Sequence, residues 1–285
     1  MRIQRLRAAV GCSLLLLMPP AATAQVVPAV AGPWTGPRTP DGQPDIQGTY
    51  VNAGPGGTFS LENPMAGGGR FPFLAEGKPL PKNPSRVIDP PDGLVPYRPE
   101  AKARRDALEA RAEDPTAPYH VDTQLRCLLP GPLRGTYRGQ SKFLQFPGMI
   151  LILSNGAGSD AFRIIRLNAE HPGTPLKLWM GDSVGRWEGN TLVVDVANLN
   201  AKGRLSMIGD YYTTTTKVVE RFTFAGRDTL TYRGTLEDPT IYTRPWTIGV
   251  ALRRDPEQDK EETWEDGCHE GERTADHLDE SFKSK

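Results

Sequence analysis

In the run Lys217-Val218-Val219-Glu220-Arg221-Phe222-Thr223-Phe224, period-two alternation puts Glu220 on the same face as Val218, Phe222 and Phe224. A carboxylate on an apolar face needs a partner or gives up its charge. Glu220 is therefore a candidate acid or base, expected to face inward and to pair with Arg186 or Arg166. Asp195, on the Thr191 and Val193 face of its own strand, is a second carboxylate. His171, in Glu170-His171-Pro172-Gly173, brings an imidazole, the side chain suited to proton transfer near neutral pH. Tyr242 adds a phenol. Acid/base turnover needs at least two titratable groups whose environments differ within one pocket, and these four are the candidates. The competing roles are a structural ion pair for Glu220, a solvated strand edge for Asp195 and a solvated loop for His171.

Ligand-binding types concentrate in Trp179-Met180-Gly181-Asp182-Ser183-Val184-Gly185-Arg186-Trp187-Glu188-Gly189-Asn190. Trp187 suits a core anchor, whereas Asp182 and Arg186 suit a rim where a ligand hydroxyl or carboxylate is held. Trp179, Trp246 and Arg166 complete the expected binding set. Phe162, Ile164 and Arg166 share one face of their strand, read as the inner one. The chain contains no H-E-x-x-H and no G-x-x-x-x-G-K-[ST] loop, and although Ser183 stands in Gly181-Asp182-Ser183-Val184-Gly185, no helical run follows it to make the strand-to-helix elbow of a serine nucleophile. Nothing in its spacing calls for a metal or another cofactor.

These side chains must be positioned by strands. From Ser141 onward, short β-rich runs recur about every ten residues: Lys142 to Phe146, Met149 to Ser154, Phe162 to Leu167, Leu176 to Met180, Thr191 to Val196, Lys217 to Phe224, Thr229 to Leu236 and Thr247 to Arg253. Pro147-Gly148, Asn155-Gly156, Glu188-Gly189-Asn190 and Gly226-Arg227-Asp228 are turn chemistry. The pattern predicts a mainly β protein, an antiparallel lipocalin-like barrel or a sandwich, over 115–285. Upstream, 25–98 reads as a Pro/Gly-rich extended arm, since residues 26–100 hold fifteen of the 27 prolines and no interior strand is expected there. Its spaced aromatics, Trp34 among them, suggest an ordered arm. A helix is expected over 99–114, opened by Pro99 and stopped at Asp114-Pro115.

Residues 1–24 read as a secretory signal peptide: Arg2, Arg5 and Arg7 precede an apolar run that ends before Ala22-Thr23-Ala24. That run is too short to span a bilayer, so the expected protein is exported, periplasmic or extracellular, with no membrane partner once the signal is removed. With 34 basic and 34 acidic residues, and three of the arginines lost with the signal, no basic excess remains to recruit nucleic acid. Beyond the signal the cysteines are Cys127 and Cys268, and in an oxidising compartment a disulfide is the simplest reading. Such a bridge closes a loop of about 140 residues, worth roughly 4–5 kcal/mol on the chain-entropy model. His120 and His269 lie near the two cysteines, but no paired metal-ligand spacing accompanies them.

The run W-M-G-D-S-x-G-R-W-E-G-x-T-L-V-V-D, then V-V-E-R-F, E-D-P-x-x-Y-T-R-P-W and a terminal C-H-E-G, resembles a large family of exported bacterial proteins found in multiple copies in soil and aquatic bacteria. The start W-T-G-P-R-T-P-D-G-Q-P-D-I-Q-G is similar to that family's mature N-terminus. The resemblance implies export and brings no activity with it. Where the family pattern commonly has histidine, serine and aspartate before V-V-E-R-F, this chain has Tyr211-Tyr212-Thr213, so if that histidine is catalytic in relatives, this chain uses a tyrosine there or has different chemistry. Two functions fit these residues. One is a binding protein for an apolar, phenolic or sugar-like small molecule; the other is a cofactor-independent lyase, hydratase or isomerase acting on a plant-derived sugar or phenolic.

Overall fold

The computed structural model describes residues 32–53, 59–62, 85–111, 115–155, 160–173, 175–226 and 228–260. Residues 1–24, read above as a signal peptide, and Cys268 and His269 lie outside them. The chain is mostly β. Its strands are β1 (Gly48–Asn52), β2 (Val87–Asp89), β3 (Gln140–Phe146), β4 (Met149–Asn155), β5 (Ala161–Leu167), β6 (Asp182–Glu188), β7 (Thr191–Ala197), β8 (Lys217–Gly226), β9 (Thr229–Glu237) and β10 (Trp246–Arg254). Among the described residues two α-helices precede most of them, α1 (Pro99–Ala110) and the short α2 (Pro132–Tyr137). The sheet order is β1-β3-β4-β5-β6-β7-β8-β9-β10, and β10 returns to β1, so nine strands close a barrel while β2 pairs on β10 from outside that ring.

Alternation sets the inner face as expected for β8, where Val218, Glu220, Phe222 and Phe224 point inward, and for β7, where Leu192, Val194 and Val196 do. The interior is filled by side chains. Phe222 meets Phe143 edge-on at 5.6 Å and Tyr232 at 5.1 Å between ring centroids. Rings of this size each contribute about 1.5–3 kcal/mol by burial. Helix α2 packs against this interior: every one of its residues is buried, and a Cβ at Gly234 of β9 would stand 2.9 Å from Leu133 Cδ2. Glycine at that strand position is what lets the helix approach. Trp34, close to Trp187 (6.4 Å) and Phe224 (5.7 Å), packs at the end of the barrel formed by the β6–β7 and β8–β9 turns.

Several expectations are corrected. The segment over 25–98 is more than an arm, because its proline-free window 45–54 supplies β1, an interior strand of the closed ring, and Ile46 and Leu61 are core residues. The helix ends at Ala110, earlier than the proline stop required. Leu176 to Met180 forms no strand; it is a strap held by one bridge, Leu178 to Leu199, and the neighbouring strand is Asp182–Glu188. The barrel is mixed, since β5 and β6 run parallel. A parallel pair needs a long return connection, and here residues 168–181 make it with no helix among the described residues, carrying His171 and Trp179 across the outer wall.

Candidate functional site

On β5 the inner residues are Ala161, Arg163 and Ile165, while Phe162 and Ile164 are 67% and 46% exposed. The expected face was inverted, and the reason is electrostatic. Glu220 is fully buried, and its partner is Arg163, not Arg186 or Arg166. Arg163 Nη1 donates to Glu220 Oε2, Nη2 donates to Oε1 at 3.3 Å, and the Tyr232 hydroxyl donates to Oε1 at 2.8 Å. Burial, and then the carboxylate beside it, hold the Tyr232 phenol well above its ordinary pKa. The inward arginine that balances Glu220 thus takes an interior position and leaves two apolar neighbours outside.

The other expected acid/base residues divide. Tyr242 is buried, donates to the Tyr211 carbonyl at 2.7 Å and packs edge-on against Trp246 at 5.3 Å. Trp246 is wholly buried core and lines no ligand surface. Arg186 is exposed on the outer wall, paired with Glu188, which also holds Arg221. By contrast Asp182, Asp195, His171 and Arg166 come together outside the barrel. The Arg166 guanidinium donates to both oxygens of Asp182 at 2.9 and 3.0 Å. His171 Nδ1 lies 2.5 Å from Asp182 and its Nε2 3.0 Å from Asp195, so the imidazole bridges two carboxylates. Both contacts are hydrogen bonds only when both ring nitrogens carry protons. The β6 and β7 strands hold the two aspartates on the outer face, and the parallel-pair connection delivers the histidine.

Beside this cluster runs a groove of about 500 Å³, walled by Phe162, Ile164, Leu178 and Trp179 with Asp182 and Arg166 at its edge. It exists because β5 and β6 pair only from Ile165 onward, leaving the start of β5 to face the strap. The strap is pinned by Leu178, whose N–H donates to the Asn198 carbonyl at 2.8 Å, and a glycine at 181 is required because a Cβ there would lie 2.8 Å from the Ala197 oxygen.

A larger cleft, about 890 Å³, opens between α1, the 119–128 segment and the 201–204 loop. Arg104, Arg111, Arg126, Lys202 and Arg204 surround it, with Tyr119, Trp179 and Tyr211 as aromatic walls, and no carboxylate is among its described lining residues. Arg204 is 8% exposed and fastens the wall by donating to the Tyr119 and His120 carbonyls. Burial lowers its pKa; Asp122 opposes that shift, and the charges of Arg134, Arg126 and Arg104 add to it. Arg104 sits 4.6 Å from the centroid of Tyr211, a cation–π contact. Two bordering residues, Cys127 and Ala201, hold φ of 54° and 57°, a left-handed conformation that costs non-glycine residues energy and gathers at ligand sites. A third cleft of about 1010 Å³ lies beside Trp34, but its arginine, Arg254, is already paired with Asp259 at 3.0 Å.

Sequence reasoning missed the basic cleft. Arg104 belongs to a helix whose charged face looks solvated, Arg111 caps the end of that helix, and Arg126, Lys202 and Arg204 lie in segments without periodicity. Tyr211, one of the residues the sequence reading singled out, lines this cleft. No family model matches the chain, and no curated protein matches it.

Proposed function

We propose that the protein is an exported small-ligand binder, and that its ligand is an anion with an aromatic or sugar-like body held in the basic cleft. The observation that carries this is the set of cationic side chains Arg104, Arg126, Lys202 and Arg204 around one aromatic-walled cleft, with Arg126 and Arg104 close enough to act on Arg204. Cations this close repel one another, and a carboxylate or sulfate entering among them gains charge-assisted hydrogen bonds while relieving that repulsion. Tyrosine and tryptophan walls add apolar contact with phenolic rings or sugar faces. The binding surface is therefore on the outside of the barrel and not along its filled axis.

The test is a titration with phenolic acids and uronate oligosaccharides, each beside its methyl ester. At 100 times the dissociation constant the acid should stabilise the fold by roughly 2.7 kcal/mol, the ester by much less, and affinity should fall as salt rises. Replacing Arg126 and Lys202 together by glutamine should weaken acid binding by about tenfold or more. Equal binding of acid and ester would sink the proposal.

A second reading, acid/base catalysis, is favoured by one feature, the His171 imidazole held between Asp182 and Asp195 beside an apolar groove. Such a ring has a fixed orientation, with one nitrogen facing each carboxylate. Product analysis after incubation with any ligand found, in the protein and in His171→Gln, separates this reading from simple binding. Turnover lost in the variant supports it, and an unchanged ligand in both excludes it.

Export also implies that Cys127 is bonded to Cys268. Alkylating the unfolded but unreduced mature protein should label neither cysteine, whereas two labelled cysteines would overturn the pairing.

A further inference from the structure

Trp179 lines both the basic cleft and the apolar groove, and the consecutive residues Leu128 and Leu129 line one each. The two cavities adjoin with the indole as their shared wall. Their characters are opposite. The cleft is ringed by arginine and lysine, whereas the groove is walled by Phe162, Ile164 and Leu178, which are 67%, 46% and 41% exposed. Large apolar side chains that stay in water along one groove are a site awaiting apolar contact.

We infer that the two cavities form one bipartite site, and that its ligand is an elongated amphiphilic anion whose acidic end enters the basic cleft and whose apolar end crosses Trp179 into the groove. This rests on the binding reading above and narrows its ligand class. A single benzoate-sized acid leaves the groove unused, since either cavity alone falls within the size range that takes a whole small molecule. The groove also explains its own edge. Arg166 and Asp182 are tied to each other there, so the apolar end meets a paired and neutralised rim. Any polar linkage between the two ends of the ligand lies near Trp179, on the side where the His171 cluster begins.

The experiment compares benzoate with biphenyl carboxylate, which share the acidic end and differ by one ring. Calorimetric titration of the mature protein should give biphenyl carboxylate an advantage of about tenfold or more, from burial of the second ring. In Ile164→Asn, an exposed outer-face change that leaves the melting midpoint in place, the advantage should collapse while benzoate binds as before. In Arg126→Gln both acids should weaken together. An advantage that survives Ile164→Asn overturns the bipartite site yet leaves the anion cleft standing. If neither acid binds the unmodified protein, the underlying reading falls and this one falls with it.

Discussion

Glu220→Gln should cost about 3–5 kcal/mol of folding stability. The substitution keeps the shape and the Tyr232 contact but removes the charge that balances Arg163, and both partners are buried inside the barrel wall. A guanidinium stranded there is only 3% exposed to solvent, and the cost of leaving it unpaired exceeds the worth of the original bond. Replacing both members, as in Glu220→Leu with Arg163→Met, should recover most of the loss, because an apolar pair of similar volume carries no desolvation penalty. Tyr232→Phe should cost about 1 kcal/mol, the value of one hydrogen bond. Urea unfolding of the four proteins checks the set. A Glu220→Gln protein as stable as the parent would mean that the pair is solvated and the inner face of β5 is misassigned.

Asp122→Asn should have a comparable effect, about 3–5 kcal/mol, with a functional consequence that Glu220→Gln lacks. Arg134 of α2 is fully buried, and its guanidinium meets both oxygens of Asp122 at 2.9 Å. The same aspartate lies between Val121 and Thr123, which line the basic cleft, so one ion pair fixes the cleft wall to the helix packed against the barrel. Losing it should loosen the wall and weaken benzoate binding as well as folding. Gln124→Ala, which removes only the 3.1 Å contact to Arg134, should cost about 1 kcal/mol and leave binding in place. Stability measured together with benzoate titration distinguishes the two. An Asp122→Asn protein that melts lower but binds benzoate normally would show the wall to be held by other contacts.

Strands β7 to β10 were legible because their inner residues alternate without interruption, and Glu220 was legible as the one exception within that alternation. The turns at Gly148 and Gly189 were legible too, and both glycines have positive φ. Strand β5 was legible as a strand but its inward face was not, because Ala161-Phe162-Arg163-Ile164-Ile165-Arg166-Leu167 has a charge on each face and only a tertiary partner decides which arginine is inside. Strand β1 was hidden by the prolines on either side of its short clear window. The parallel β5–β6 pair leaves no local mark at all, since strand direction is decided by a connection that reads as loop. His171 was found by residue type alone; its two partners were each found separately, and only folding brings the three into a line.

The ring closes through β1, which pairs Tyr50 with Arg254 at nearly opposite ends of the described chain. Every other neighbouring pair in the ring except β1 with β3 joins strands consecutive in sequence. A chain made from its N-terminus therefore holds its closing strand ready long before the last strand exists, and the two edges that β1 will cover, on β3 and β10, cannot both be sealed until β10 emerges. Loop-closure entropy makes that contact the slowest to form. Until it forms, the nascent sheet has exposed edges of the kind that recruit other chains, so the time spent between the last strand's appearance and its meeting with the first is when aggregation competes with folding.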